Sequence, residues 1–359
     1  MINLMVQIQG KEKSYPIFIN NSDLATLKES ILDQIEHKNY IVVINQTVHK
    51  LYSKVLDFPK DKIFVLKDGE REKNYKNYIK ILNFALQKKL KREDAIIAIG
   101  GGVVGDIAGF AAATFMRGIN FIQVPTTLLS AVDSSVGGKV AINSDYGKNL
   151  IGAFYQPKTV FINVNFLKTL DEKQFKSGLG EVLKYGFIEK SCIPDVEPHL
   201  INFLIENKDK ILAKELLTLK ELIKLCLQLK IEVVQKDEKE GGLRKILNYG
   251  HTYGHVVENL TGYKKYTHGE CVIEGIRFAL ALATKLNLVD KEYKFLSEDL
   301  IEKFDYKPLK SFDINKTIYV MTTDKKATDE YITFILPSQY AQVFEYKISK
   351  EELKKLITP

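Results

Sequence analysis

Three of the six histidines fall in one short stretch, Leu247 to Glu270, which reads LNYGHTYGHVVENLTGYKKYTHGE. His251 and His255 are four apart, so a helix would place both imidazoles on one face, and His268 returns after a Gly-containing turn that could fold back to meet them. Imidazole is a common ligand of zinc, and the grouping reads as a metal site. The same spacing also arises as a surface coincidence or a capping pair, so the pattern takes its meaning from its context. Glu181, within Ser177-Gly178-Leu179-Gly180-Glu181-Val182-Leu183-Lys184, is a candidate third ligand. Two histidines and a carboxylate without a thiolate leave a position open, as catalytic zinc sites do.

A second signal precedes it. Ala95-Ile96-Ile97-Ala98-Ile99 reads as a buried strand, Gly100 to Asp106 as a glycine turn, and Ile107 to Phe115 as an apolar helix. Gly100, Gly102 and Gly105 satisfy GxGxxG between strand and helix, where glycines let a diphosphate approach the backbone and the helix N-terminus stabilises its charge. The acidic residue expected about 20 positions later, to hold an adenosine ribose, is absent. Thr126 to Asn149 is rich in small residues and carries Asp133, Lys139, Lys148 and Asn149; it reads as a loop that wraps a ligand, its lysines suited to phosphates.

The elements that must position these groups change character along the chain. Up to about Leu66, strands (Met5 to Gln9, Ser14 to Ile19, Tyr40 to Ile44, Lys62 to Leu66) alternate with helical patterns around Ala25 to Ile35 and Val48 to Val55, which argues for a parallel, doubly wound sheet. After a strand at Thr159 to Asn163, amphipathic helices dominate, such as Pro198 to Asn207, Ala213 to Val234 and Glu270 to Leu286, with a late strand at Tyr331 to Leu336. The expected fold is an α/β Rossmann-like nucleotide-binding domain over residues 1–172 and a mainly α-helical metal- and substrate-binding domain over 173–359.

The chain has 359 residues, 45% of them apolar, enough for a sizeable core. Its net charge of +7 is interleaved with acids and has no block of like charges, so it suits a small anionic substrate and gives no sign of a nucleic-acid arm. Cys192, Cys226 and Cys271 are far apart and form no CxxC pair, which fits a reducing compartment. With no signal-peptide pattern at its start and no apolar run of membrane-spanning length, a cytoplasmic protein is expected.

Taken in order, the blocks DGEREK (Asp68 to Lys73), GGGVVGDIAGFAAATFMRGI (Gly100 to Ile119), VPTTLLSAVDSSVGGK (Val124 to Lys139), GKNLIGAFYQP (Gly147 to Pro157), GEVLKYG (Gly180 to Gly186), GGLRKILNYGHTYGH (Gly241 to His255), HGE (His268 to Glu270) and DKK (Asp324 to Lys326) resemble the 3-dehydroquinate synthase family of sugar phosphate cyclases. The resemblance covers nearly the whole chain. It implies one divalent metal, zinc or cobalt, on Glu181, His251 and His268, with His255 moved from the ligand set to the substrate side. It implies NAD as cofactor, contacted by Asp68, Gly69, Glu70, Arg71, Glu72 and Lys73, by Gly102, Val103, Val104, Gly105 and Asp106, by Thr126 and Thr127, by Lys139 and Lys148, and by Phe166, Leu167, Lys168 and Thr169.

Catalytic roles would fall on His255, Lys184, Asp133 and Asn248. Substrate binding would fall on Lys139, Asn149, Lys230 and Arg244, with one of Lys325 and Lys326 joining them and Arg117 offered to the neighbouring subunit of a homodimer. The implied reaction converts 3-deoxy-D-arabino-heptulosonate 7-phosphate to 3-dehydroquinate and phosphate. NAD takes a hydride from C5, the ketone acidifies C6, phosphate leaves, the hydride returns, and the ring opens and recloses by an internal aldol step. Departures from the family pattern are Val140-Ala141 where Thr-Gly is more usual, Ser130-Ala131 for Ala-Gln, and Cys271 for Ala.

Three other readings compete, one of them a non-catalytic nucleotide-binding or assembly protein that keeps the fold, against which the intact Glu181, His251, His255 and His268 speak. A related cyclase, such as an aminodehydroquinate synthase, shares the cofactor and metal parts, and a metal-dependent polyol dehydrogenase would accumulate NADH. Arg244 and Lys230 argue against substrates without a carboxylate, because a guanidinium left unpaired there is costly.

Overall fold

Tyr40–Asn45 and Ala95–Gly100 read YIVVIN and AIIAIG, apolar at nearly every position, and such strands need cover on both faces. The computed structural model, which describes residues 1–8, 14–195, 199–310, 312–323 and 330–357, supplies that cover. The chain forms two compact units, Met1–Asp171 with Ala213–Gln235, and Glu172–Leu212 with Lys236–Pro359.

In the first unit the strands are β1 (Ile2–Val6), β2 (Tyr15–Asn20), β3 (Tyr40–Asn45), β4 (Ile63–Leu66), β5 (Ala95–Gly100), β6 (Asn120–Pro125), β7 (Lys139–Ser144), β8 (Gly147–Phe154) and β9 (Thr159–Asn163). Seven of them make one sheet in the order β1-β2-β9-β6-β5-β3-β4, parallel except for β1 against β2. Alternate side chains serve opposite faces. Val42, Ile44, Ile97 and Ile99 pack with helices α1 (Leu27–Gln34) and α2 (Gln46–Leu56). Ile41, Val43, Ile96 and Ala98 pack with α3 (Tyr75–Gln87) and α4 (Gly102–Thr114). This is the doubly wound α/β architecture expected. The chain runs from β3 out to β4 and returns across β3 to β5, so the order reverses between β3 and β5, where open α/β sheets bind ligands beyond their carboxyl ends.

Two local expectations change. The apolar helix begins at Gly102, inside the glycine run, because Gly101 already has the extended backbone of an N-terminal flank. The segment expected to be an open loop instead holds a π-helical turn, Ser130–Ser134, and the antiparallel pair β7 and β8. Val140 and Ile142 alternate into the core at 2% and 1% exposure, a two-residue period that the surrounding glycines obscured.

The helices continue as α5 (Glu172–Phe187), α6 (Glu189–Cys192), α7 (Leu200–Leu212), α8 (Leu216–Lys236), α9 (His251–Leu260), α10 (His268–Lys285), α11 (Lys291–Lys303), α12 (Ile314–Thr323) and α13 (Lys350–Ile357). Most of α8 belongs to the first unit and the others to the second. The late strand β10 (Tyr331–Pro337) pairs with β11 (Val343–Ser349), a partner the sequence reading did not identify. Among the described residues no helix is long and apolar enough to cross a membrane.

Glycines let three helices of the second unit touch backbone to backbone. A Cβ on Gly180 of α5 would lie 2.6 Å from the Gly269 carbonyl oxygen, and one on Gly275 of α10 would collide with the carbonyl of Gly250, just ahead of α9. A capping box, Thr267 with Glu270, starts α10 at His268. Gly275→Ala should therefore force α9 and α10 apart, costing about 1–3 kcal/mol or more. The check is a lower melting temperature accompanied by weaker divalent-metal binding, since Gly250 leads directly into His251.

Candidate functional site

Glu181 is fully buried on α5, and an ionised carboxylate at that depth needs partners. Lys184, one helical turn on and itself buried, forms an ion pair with Glu181 Oε2. The other oxygen, Oε1, lies 3.1 Å from His268 Nε2 and 3.5 Å from His251 Nε2. Candidate donor atoms of Glu181, His251 and His268 all fall within 4.8 Å of one another. Two imidazole nitrogens and one carboxylate oxygen, converging on a small volume, fit a divalent ion of the zinc or cobalt kind.

Each imidazole is held from behind. His251 Nδ1–H donates to the Tyr249 carbonyl at 3.1 Å, and His268 Nδ1–H donates to Glu258 Oε1 at 3.2 Å, which fixes the tautomers that turn Nε2 toward Glu181. Burial pushes the His251 pKa well below the ordinary imidazole value, against the attraction of Glu181. Burial also opposes the charge on His268, but its hydrogen bonds to Glu181 and Glu258 outweigh that and raise its pKa to about 10. Glu258 is a residue that sequence reasoning missed. Its signal was spacing, seven positions after His251 and so on the same helical face. His255 stands beside the cluster, its ring centroid 5.4 Å from that of His251.

Arg244 and Asn248 come from the turn ahead of α9. Arg244 is 2% exposed and its guanidinium donates to the Glu238 carbonyl, while Asn248 Nδ2 donates to Glu240 Oε1 at 2.6 Å. The structure thus gathers Glu181, Lys184, His251, His255 and His268 in one cluster of the second unit, with Arg244 and Asn248 on the adjoining turn. Lys325 and Lys326 lie outside the described residues.

In the first unit, four of the expected cofactor segments each follow a parallel strand and so share the carboxyl edge of the sheet, whereas Lys139 and Lys148 lie on the separate β7 and β8 pair. Asp68, Gly69, Glu70, Arg71, Glu72 and Lys73 follow β4; Gly102, Val103, Val104, Gly105 and Asp106 open α4 after β5; Thr126 and Thr127 follow β6. Phe166, Leu167, Lys168 and Thr169 form a 3₁₀ turn after β9, with the Thr169 hydroxyl 2.5 Å from the Tyr52 hydroxyl. Asp68 accepts from Asn45 Nδ2 at 2.5 Å and from the Thr47 hydroxyl at 2.9 Å. An acid is therefore present at the switch point, but it precedes the glycine turn in sequence. Buried Lys73 pairs with Asp106 at 2.6 Å.

Asp133 sits on the π-helical turn and pairs at 2.8 Å with Lys230 of α8, which is 4% exposed. Lys139, Lys148 and Asn149 lie on the β7 and β8 pair, where the Asn149 amide donates to Asn143 Oδ1 at 3.0 Å. Arg117 is exposed on a turn after α4 with a left-handed φ of 68°. Of the departures, Ser130 bonds the Thr127 hydroxyl at 2.8 Å, Val140 packs at Gly109, and Cys271 is buried.

Comparison with known proteins places this arrangement. The family model described as 3-dehydroquinate synthase N-terminal matches residues 63–177, and the one described as 3-dehydroquinate synthase C-terminal matches residues 178–327. The chain belongs to the 3-dehydroquinate synthase family. It is 42% identical to a 3-dehydroquinate synthase of Prochlorococcus marinus subsp. pastoris over 90% of this chain and 93% of that one, and 41% identical to one of Alkaliphilus metalliredigens over 95% of each. Among solved structures, a 2-deoxy-scyllo-inosose synthase complexed with carbaglucose-6-phosphate, NAD+ and Co2+ is similar, with a TM-score of 0.84, 26% identity and 99% of each chain covered. The fold is shared with a 2-epi-5-epi-valiolone synthase of Streptomyces hygroscopicus at a TM-score of 0.84 and 21% identity, each chain 98% covered. As a member of the family the chain is an enzyme of the lyase type.

Because a metal must displace the proton held on His268, cobalt or zinc affinity should fall as pH drops below about 10. Glu258→Gln should flatten that dependence, one of the two carboxylates that hold the proton being gone. Metal titration against a competing chelator at several pH values measures both, and an unchanged slope in the variant would count against the assignment of Glu258.

Proposed function

We propose that the chain converts 3-deoxy-D-arabino-heptulosonate 7-phosphate to 3-dehydroquinate and phosphate, as a cytoplasmic homodimer using NAD and a divalent metal. The observation that carries this choice among sugar phosphate cyclases is Arg244, a guanidinium 2% exposed on the turn that leads into the histidine cluster. A buried guanidinium suits bidentate capture of a carboxylate, which this substrate has and the carboxylate-free cyclase substrates lack. The similar 2-deoxy-scyllo-inosose synthase is complexed with NAD+ and Co2+, which supports the same pair of groups here.

When bound, NAD would supply a reversible hydride acceptor and the divalent ion Lewis-acid polarisation, the first at the carboxyl edge of the sheet and the second at Glu181, His251 and His268. The chain's own residues do the rest. The first turn of α4 would hold the NAD diphosphate at the helix N-terminus, and the Asp68 carboxylate, held by Asn45 and Thr47, would accept from ribose hydroxyls. Lys184 balances the charge of Glu181. His255, beside the ligands yet outside the ligand set, is placed to move a proton or contact phosphate. Lys139, Lys148, Lys230 and Arg117 supply positive charge for the phosphate, Arg117 from the partner subunit. Met116 next to Arg117, and Leu150, Ile151 and Phe154 on β8, are exposed apolar side chains of the first unit that support a subunit contact there.

Metal-loaded protein incubated with NAD and the heptulosonate phosphate should release phosphate and form dehydroquinate without a steady rise of NADH. Accumulating NADH would favour a polyol dehydrogenase, and metal-replete protein that releases no phosphate would sink the proposal. Arg244→Ala should raise the substrate KM about 10- to 100-fold, the worth of lost charge-assisted hydrogen bonds, while NAD binding stays nearly unchanged. Equal loss of both would contradict the role given to Arg244.

A further inference from the structure

The turn between α8 and α9 is wound around one side chain. Asp237, the first residue after α8, accepts hydrogen bonds from three backbone amides: Gly241 at 2.9 Å, Gly242 at 2.8 Å and Arg244 at 2.9 Å. Burial disfavours the ionised form, yet the three N–H groups together hold the Asp237 carboxyl below its usual range. The backbone so fixed turns two neighbours into partners. The Glu238 carbonyl receives the Arg244 guanidinium, and Glu240, held at a left-handed φ of 62°, receives the Asn248 amide.

We propose that Asp237 is a positioning residue for substrate: by gathering the amides of Gly241, Gly242 and Arg244, its carboxylate sets the pose of Arg244 and Asn248. It touches no reacting atom. The contacts described above for the Glu181 cluster and for the carboxyl edge of the sheet are made by other residues. Replacement by asparagine leaves one acceptor oxygen and turns an N–H donor toward the amides, so the turn loses its organiser with little change of volume. The inference rests on the reading of Arg244 as the group that binds substrate.

The test is a double-mutant cycle in the full-length, metal-loaded enzyme with the heptulosonate phosphate as substrate. Asp237→Asn should raise KM about tenfold with a smaller effect on kcat, while cobalt stoichiometry and NAD affinity match the parent. In an Arg244→Ala background the same change should cost little further, because the group it positions is gone. Asp237→Glu, which keeps a carboxylate, should recover part of the loss and serves as the folding control. Full additivity of the two changes would overturn the proposal, as would an Asp237→Asn enzyme with parental KM. An Arg244→Ala enzyme with unchanged KM would instead remove the underlying reading of Arg244, and is recognised separately because it needs no change at Asp237.

Discussion

A carboxylate with no access to solvent is the constraint on which the second unit is built. Glu181 cannot stay ionised at that depth unless positive or hydrogen-bonding groups reach it, since an unpartnered buried charge costs several kcal/mol. The chain answers with Lys184 on one oxygen and two imidazoles on the other. Those three partners come from α5, α9 and α10, so the requirement of one side chain ties three helices together. The carboxylate and its two imidazole partners are also the groups a divalent cation binds, and the electrostatic demand and the chemical use coincide.

Helices bring such short side chains together only if their axes approach closely, and here glycine makes that possible. Gly180 and Gly269 meet where α5 crosses α10, and the backbones of Gly250 and Gly275 meet where α9 crosses it. The capping box at Thr267 and Glu270 then fixes His268 as the first residue of α10. Hydrogen bonds from their Nδ1–H groups to the Tyr249 carbonyl and to Glu258 fix the imidazoles in turn. Position in the sheet does for the first unit what close helix packing does for the second. Parallel strands put Asp68, Gly102 and Thr126 on one edge, although they are far apart in sequence.

How much of this was legible depends on the range of the interaction. Strands of continuous apolar residues, and helices with a stable apolar face, announce themselves because their periodicity is local, and the doubly wound sheet follows from their alternation. The π-helical turn and the β7 and β8 pair were hidden, because glycine and small polar residues mask a period of two over so short a span. The absence of an acid downstream of the glycine turn has a reason in topology. A search downstream of the glycine turn assumes that the neighbouring strand comes next in the chain, whereas here β3 and β4 come earlier and Asp68 with them. Spacing alone left His255 and Glu181 as rival companions of His251. Carboxylate geometry puts Glu181 with His251 and His268, and leaves His255 beside them.

Glu181 and Asp237 show why one residue type can be read in two ways. Both are carboxylates held by several donors of the second unit, but the donors differ. Those of Glu181 are side chains, two of them imidazoles that can exchange a proton for a metal, so its surroundings can change with occupancy. Those of Asp237 are backbone amides, which have no second protonation state near neutrality and nothing to exchange. The first carboxylate therefore belongs to chemistry and the second to geometry. A sequence shows only Glu and Asp at these places; the distinction lies in what donates to them, and that is set by the turns and helix crossings around each.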